Sequence, residues 1–145
     1  MKQSKPKILY SKSLDDLPLV CDRIIDHSKG IKIFTFEGAL GAGKTSLIKA
    51  LCWYLGYRGD VTSPTFALIN EYSLSNGVIY HMDLYRINRV EELYDIGLEE
   101  YLESGQFCLI EWPQIAEDLL LDQHIHIKIE VLPDQGRKIE IFDHA

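Results

Sequence analysis

Cysteine and long apolar runs are both scarce in this sequence, and each shortage excludes a class of protein. The 145 residues include three cysteines, Cys21, Cys52 and Cys108, with no C-x-x-C spacing. Each lies in an apolar context, so we expect buried reduced thiols, as in the cytoplasm, rather than disulfides or a zinc site. No stretch approaches the roughly 20 apolar residues of a membrane span, and no signal-peptide pattern follows the first lysines. We therefore expect a soluble, cytoplasmic protein that does not bind membranes.

Positive charge is also in short supply. The chain carries 15 basic and 22 acidic residues, a formal net charge of -7. A protein that holds nucleic acid through its own phosphate contacts needs the opposite balance. We expect no direct DNA binding, and RNA would be reached only through a partner protein.

Linker-like segments, internal repeats and low-complexity tracts are absent as well. With 145 residues, of which 46% are hydrophobic, the chain can bury one core without disulfide or metal support. We expect residues 1–145 to form a single domain.

The first half of the sequence predicts a strand, a loop and a helix in succession. Residues 31–38, IKIFTFEG, are β-branched and aromatic, which is typical of a buried strand. From Lys44 to Leu55 the apolar residues recur at helical spacing, and they predict a buried face. The predicted face consists of Leu47, Leu51, Tyr54 and Leu55. An earlier helix, with Asp16 as its N-cap, is predicted before residue 30.

The second half predicts two hairpins around a short apolar strand. Residues 66–74 and 78–86 flank Ser75-Asn76-Gly77, and residues 124–131 and 137–143 alternate strictly about a second turn. The run QFCLIEW, residues 106–112, predicts a buried central strand, and Pro113 begins a predicted helix to Leu120. Together these elements predict an α/β fold with a mixed sheet, mainly parallel at its centre, with antiparallel hairpins and helices on both faces.

The residues between the first predicted strand and its helix carry the clearest chemical signal. Gly38-Ala39-Leu40-Gly41-Ala42-Gly43-Lys44-Thr45 fits G-x-x-x-x-G-K-T, the phosphate-binding loop of P-loop NTPases, in the strand-to-helix context that the pattern requires. Glycines let backbone N–H groups surround a phosphate, Lys44 neutralises the β- and γ-phosphates, and Thr45 offers a hydroxyl to magnesium. Ser46 extends the loop into the helix. The loop therefore predicts a P-loop NTPase-like domain that binds ATP and Mg²⁺.

Two acidic residues are candidates to complete such a site. Glu111 ends the predicted central strand, where P-loop proteins place a second magnesium anchor that is usually aspartate. Asp83 lies late in a strand between the apolar residues Met82 and Leu84, and a metal-side or water-orienting role would explain it. Other interpretations stay open: Glu111 as a solvated strand-end carboxylate, and Asp83 as a turn cap.

A polar segment, VTSPT, precedes the first hairpin, where nucleotide switch segments commonly lie. Thr62, Ser63 and Thr65 present three hydroxyls, and Pro64 keeps Ser63 out of helical geometry. The segment either senses a γ-phosphate or is an ordinary turn. Trp112 either stacks on a base or covers the core, and Arg86 either stabilises transition-state charge or forms a surface ion pair.

Four segments in this order resemble the TsaE (YjeE) family of small bacterial ATPases: GALGAGKTS, TSPTFALINEY, YHMDLYR and CLIEWP. The resemblance runs from about residue 11 to residue 143. The loop alone is shared by P-loop proteins in general, whereas the other three segments make the match narrow. The glutamate at position 111, unusual among P-loop proteins, is what this family shows.

The resemblance implies an accessory ATPase in threonylcarbamoyl modification of tRNA adenosine, acting with the proteins TsaB and TsaD. It implies that Lys44 and Thr45 hold phosphates and magnesium, and that residues 62–65 form a switch segment. It implies catalytic or metal-binding roles for Asp83 and Glu111, and a place near the nucleotide for Trp112. Two alternatives stay open: a small metabolite kinase, and a binding module that nucleotide gates without being hydrolysed.

Overall fold

The computed structural model describes residues 5–64, 66–120 and 124–144, and within them one sheet organises the chain. Its seven strands are β1 (Lys7–Ser11), β2 (Ile33–Glu37), β3 (Ile69–Leu74), β4 (Gly77–Asp83), β5 (Phe107–Glu111), β6 (His124–Val131) and β7 (Arg137–His144). The helices are α1 (Leu17–Ser28), α2 (Lys44–Tyr54), α3 (Val90–Asp95) and α4 (Leu98–Leu102), with 3₁₀ segments at Leu14–Asp16 and Pro113–Leu119. No helix in the described residues is long and apolar enough to cross a membrane.

The strands lie in the order β1-β7-β6-β2-β5-β4-β3. The four central strands, β6, β2, β5 and β4, are parallel to one another. The outer pairs β3–β4, β6–β7 and β1–β7 are antiparallel. The predicted mixed sheet with a parallel centre and antiparallel hairpins is therefore confirmed.

Alternation along the central strands divides the core into two layers. Phe34 and Phe36 of β2 face α1 and α2, whereas Ile33 packs in the layer that contains α3 and α4. In β5, Leu109 belongs to the first layer, and Cys108 and Ile110 belong to the second. A strand that is covered on both faces must be apolar at successive positions, which is the pattern that QFCLIEW predicted.

The parallel centre decides where the functional residues meet. β2, β4 and β5 end at one edge of the sheet because they run parallel, and the loop after β2 begins at that edge. Glu111 is paired with Phe36 in the register of β5 and β2, so it lies beside the strand that leads into the loop, as predicted.

Two local predictions were correct only in part. Asp16 stands at the N-cap position of α1, as predicted, but its side chain does not cap that helix; its carboxylate instead accepts the backbone N–H groups of Lys12 and Ser13, in a capping box for the preceding 3₁₀ turn. Tyr54 is 44% exposed rather than buried, and its hydroxyl donates to Asp22 of α1 at 2.7 Å.

Three element boundaries also differ from the predictions. β3 begins at Ile69 rather than at residue 66, because Leu68 has a φ of 68° and the chain is still turning there. Residues 75 and 76 form the hairpin turn, and Gly77 already pairs with Leu74. The helix predicted from Pro113 is a 3₁₀ segment that ends at Leu119.

Candidate nucleotide-binding site

Two glycines, one at each end of the loop between β2 and α2, occupy positions where a side chain would be strained or crowded. Gly43, which precedes α2, has a φ of 105°, and a Cβ there would lie 3.3 Å from Nε of Arg137. A Cβ at Gly38 would lie 2.9 Å from the carbonyl oxygen of Ile129 in β6. The glycine pattern therefore reflects a left-handed backbone at one end of the loop and close approach to a neighbouring strand at the other.

The N-terminus of α2 faces the inside of the loop. No side chain of the described residues caps this helix of 11 residues, so its first N–H groups are available to an anion. Thr45 and Ser46 lie exposed in the first turn. This arrangement suits a phosphate group.

Lys44 lies against the loop that contains it. Its side chain is buried, its Nζ donates to the carbonyl oxygen of Gly38 at 2.6 Å, and Nζ lies 3.7 Å from the ring centroid of Trp112. Burial lowers the pKa of Lys44, and the nearby charges of Glu111 and Asp83 act in the opposite direction. The ammonium group is thus held near carboxylates in a partly desolvated position.

Asp83 and Glu111 are the last residues of two neighbouring parallel strands and are paired in register. Asp83 is 5% exposed; its Oδ1 accepts the N–H of Tyr85 at 2.9 Å, and its Oδ2 lies 3.4 Å from the Ser63 hydroxyl. The turn-cap interpretation of Asp83 is therefore confirmed, and its second oxygen remains on the side of Ser63. Glu111 is 4% exposed, so the interpretation as a solvated carboxylate is wrong.

Glu111 is held by a buried histidine that sequence reasoning missed. Its Oε2 lies 2.7 Å from Nε2 of His81, whose side chain is fully buried. His81 lies two residues before Asp83 in β4, and alternation along the strand places both on one face. The only signal in the sequence was this spacing of two within YHMD.

A cavity of about 510 Å³ joins these groups, within the usual size range of ligand pockets. Its lining residues are Leu40, Gly41, Gly43, Lys44, Thr45, Ser46, Ser63, Asp83, Tyr85, Glu111, Trp112 and Arg137. Ten of these twelve were candidates from the sequence, and Tyr85 and Arg137 were not. Four other candidates, Gly38, Ala39, Ala42 and Thr62, do not line the cavity, and Thr65 lies outside the described residues.

Two of the candidates that do not line the cavity make hydrogen bonds through their backbone carbonyl groups. Ala42 is buried, and its carbonyl oxygen accepts Nε–H of Arg137 at 2.7 Å. The carbonyl oxygen of Thr62 accepts the Asn70 amide and the Tyr72 hydroxyl, each at 3.1 Å.

Arg137 approaches the loop from β7, 95 residues further along the chain. It also lines a second cavity of about 170 Å³, which shares Gly43 and Ser46 with the first. The other lining residues of the second cavity are Ser11, Lys12, Ser13, Leu14, Leu17 and Gln135. No pattern in the sequence pointed to Arg137, since it begins a strand of ordinary alternation.

Trp112 and Tyr85 form an aromatic wall on the Lys44 side. Their ring centroids are 4.9 Å apart, and Trp112 has a φ of 54° where the chain turns from β5 into the 3₁₀ segment. Trp112 thus lines the cavity instead of only covering the core. The guanidinium of Arg86 stacks on the exposed ring of Phe66, 4.3 Å from its centroid, which neither interpretation of Arg86 anticipated.

Oxygen-bearing groups dominate the chemistry of this cavity. The Thr45 hydroxyl and two carboxylates are the donor types that Mg²⁺ prefers. Within residues 5–64, 66–120 and 124–144, no group of three or more His, Cys, Asp and Glu residues is arranged to hold a metal. A cation bound here would therefore need oxygens from its ligand or from water as well.

A glycine-rich loop between a strand and an uncapped helix, beside acidic residues at the ends of parallel strands, defines the P-loop class of nucleotide-binding proteins. The family described as "Threonylcarbamoyl adenosine biosynthesis protein TsaE" matches residues 11–139, and the chain belongs to this TsaE family. The family's role is in the biosynthesis of threonylcarbamoyladenosine in tRNA, as the names of the relatives state.

Individual proteins agree with this assignment. A curated TsaE protein of Haemophilus influenzae is 38% identical over 115 residues, which cover 79% of this chain and 72% of the relative. A TsaE protein of Bacillus subtilis is 40% identical over 107 residues, which cover 74% of this chain and 66% of the relative. The crystal structure of Bacillus subtilis YdiB superposes with a TM-score of 0.75 at 27% identity, covering 99% of this chain and 87% of that one.

Proposed function

We propose that this protein is a magnesium-dependent ATPase of the cytoplasm that supports threonylcarbamoyl modification of tRNA together with TsaB and TsaD. The observation that carries the proposal is the meeting of Lys44 with Asp83 and Glu111 around one cavity. A nucleotide triphosphatase needs a cation for the phosphates and acidic groups for the metal and the attacking water, and these residues supply both.

The phosphates bind across the loop. Backbone N–H groups of the loop and of the first turn of α2 surround them, and the ammonium group of Lys44 exchanges its bond to the Gly38 carbonyl for the phosphate oxygens. The phosphate charge also restores the pKa of Lys44 toward its usual value, since an anion offsets the cost of burial.

Thr45, Asp83 and Glu111 would hold the metal and orient the water at the γ-phosphate end. Bound Mg²⁺ would neutralise charge on the β- and γ-phosphates. Asp83 is already restrained by Tyr85, and Glu111 by His81, so both carboxylates meet their ligands with little loss of rotamer freedom. Catalysis then depends on positioning and charge, without a covalent intermediate.

The nucleoside lies on the other side of the loop. Lys44 and Trp112 mark the γ-phosphate end, and the second cavity opens beyond Gly43 and Ser46, with the apolar side chains of Leu14 and Leu17 in its wall. A base and ribose placed there remain continuous with the phosphates. Trp112 then contacts the phosphate end rather than the base.

Partner contact gates turnover in this proposal. The switch segment, residues 62–65, touches Asp83 through Ser63, and Phe66, just beyond it, is 84% exposed beside Arg86. A segment that responds to the γ-phosphate while presenting an aromatic side chain to solvent can report the nucleotide state to TsaB–TsaD. The acidic net charge of -7 disfavours direct tRNA contact, so tRNA is reached through the complex.

The first test is phosphate release from ATP and Mg²⁺ by the purified chain, alone and with TsaB and TsaD. A slow basal rate that rises with the partners supports the proposal. ATP binding without hydrolysis in both conditions would support a nucleotide-gated binding module instead. Phosphoryl transfer to an added metabolite would support a small kinase.

Three variants separate the roles at the site. Lys44→Ala should abolish nucleotide binding, because the phosphates lose their counter-charge; unchanged affinity would remove the loop from the site. Glu111→Ala should lower turnover far more than nucleotide affinity measured without Mg²⁺. Asp83→Asn keeps the shape and the contact with Tyr85 but removes the charge, and wild-type turnover in this variant would refute its metal or water role.

A further inference from the structure

Two buried polar side chains lie in β3 and β4, and the steps above use only the contact of one of them, His81, with Glu111. Tyr72 is 4% exposed, and His81 is fully buried. The Tyr72 hydroxyl lies 2.9 Å from Nδ1 of His81, and Nε2 of the same ring lies 2.7 Å from Oε2 of Glu111. The imidazole therefore bridges a phenol and a carboxylate, with both ring nitrogens engaged.

The other end of this chain of hydrogen bonds reaches the switch segment. The Tyr72 hydroxyl donates to the carbonyl oxygen of Thr62 at 3.1 Å, and the Asn70 amide donates to the same oxygen at 3.1 Å. Four groups are thus connected in sequence: Thr62, Tyr72, His81 and Glu111. We call them the buried relay.

The relay restrains Glu111 because its links are enclosed. A buried polar group that loses its partner cannot bond to water instead, so each link is costly to break. The bond from His81 commits Oε2 of Glu111 and leaves the other carboxylate oxygen for the cavity that Glu111 lines. Any shift of Thr62 changes this series of hydrogen bonds at the end opposite Glu111.

Both acidic residues therefore connect to one segment by different routes. Ser63 contacts Asp83 directly, at 3.4 Å, whereas Thr62 connects to Glu111 through two buried side chains. A displacement of residues 61–64 changes the surroundings of both carboxylates at once.

We propose that His81 is a positioning residue which, through Tyr72, couples the orientation of the Glu111 carboxylate to the position of the switch segment at Thr62. This inference rests on the proposed function, because that function gives the Glu111 carboxylate its role in turnover. When Thr62 is bonded to Tyr72, the relay holds Glu111 with its other carboxylate oxygen toward the cavity. When the segment moves, the relay loosens and Glu111 loses that orientation.

The first experiment perturbs one end of the relay and measures the other, without using activity. Amide hydrogen exchange of a peptide that covers residues 61–64 is followed by mass spectrometry in the chain alone. Glu111→Ala should accelerate exchange in this peptide severalfold. In a Tyr72→Phe background the same change should add nothing, because the connection is already cut.

Matched variants separate coupling from simple loss of packing. Tyr72→Phe removes one hydroxyl and keeps the ring, and the control is Tyr80→Phe, since Tyr80 of β4 packs on Tyr101 in the other core layer. His81→Gln can place an amide N–H toward Glu111 and keep the rest of its amide group beside the Tyr72 hydroxyl, whereas the shorter side chain of His81→Asn can keep only the link to Tyr72. Thermal unfolding checks that each variant folds.

With partners present, Tyr72→Phe and His81→Asn should lower kcat about tenfold with less than a twofold change in KM, because the phosphate loop is intact. His81→Gln should recover most of the lost kcat. Tyr80→Phe should match the wild type in kcat and in hydrogen exchange.

Two results would overturn the proposal. One is that hydrogen exchange of the 61–64 peptide is the same in Tyr72→Phe as in Tyr80→Phe. The other is that Glu111→Ala still accelerates this exchange in the Tyr72→Phe background. Equal losses in His81→Gln and His81→Asn, together with lower unfolding temperatures, would assign His81 a structural role only. If the wild type hydrolyses no ATP, the proposed ATPase function fails while the exchange measurements still decide whether the relay couples its two ends.

Discussion

Replacing Arg137 tests whether a residue from the last strand pre-organises the phosphate loop. Its Nε donates to the Ala42 carbonyl oxygen at 2.7 Å, so the loop is held in shape before any nucleotide arrives. We expect Arg137→Ala to weaken nucleotide binding, because the loop must then be ordered at the expense of binding free energy.

The size of the effect follows from the type of contact. A hydrogen bond from a charged donor contributes about 1.5–3 kcal/mol. Arg137 is partly exposed, which places its contribution near the lower limit, and about 1.5 kcal/mol corresponds to roughly a tenfold higher Kd. Isothermal titration of ADP with Mg²⁺ measures this change directly.

Two further variants make the result specific. Arg89→Ala is the matched control, since Arg89 is 73% exposed and pairs only at the surface with Glu91, at 3.5 Å. Arg137→Lys keeps the charge but loses the planar group that bonds Ala42. Wild-type affinity in Arg137→Ala would refute the argument, and full recovery in Arg137→Lys would show that charge near the phosphates matters rather than the bond to the loop.

Two other predictions concern the nucleoside cavity and the buried thiols. Leu17→Ala should weaken ATP binding severalfold and leave inorganic triphosphate binding unchanged, because only the nucleoside reaches the second cavity; equal effects on both ligands would place the nucleoside elsewhere. Burial raises the pKa of the Cys21, Cys52 and Cys108 thiols from 9.0 to about 12. Since the unfolded chain then loses these protons first, each thiol should lower the free energy of unfolding by about 1.4 kcal/mol at pH 10 relative to pH 7. In urea unfolding, Cys108→Ala should lose less free energy of unfolding than the wild type between pH 7 and pH 10, by about 1.4 kcal/mol. An equal loss in the variant and the wild type would contradict this prediction.

Much of the fold could be predicted because its signals are local. The parallel centre followed from one apolar strand and one strand-loop-helix unit, and the hairpins followed from alternation around turns. Local signals failed where a distant contact decided the outcome. Tyr54 is exposed and its hydroxyl donates to Asp22 of another helix, and Asp16, although it stands at the N-cap position of α1, bonds the preceding turn with its side chain.

The residues of the candidate site were likewise predictable where the signal was local. Lys44 and Thr45 were predictable since the chemistry of the loop needs adjacent residues of fixed type. Glu111 and Asp83 were predictable because strand ends can be located from the sequence, and parallel strands end at a common edge.

By itself, the sequence determined the class of the site, the family and the succession of the central strands and helices along the chain, because each depends on residues close together in the chain. Tertiary structure alone decided that Arg137 supports the loop from 95 residues away, and that His81 and Tyr72 join Glu111 to Thr62. Those contacts depend on strand order and register, which bring together side chains that no spacing in the sequence relates.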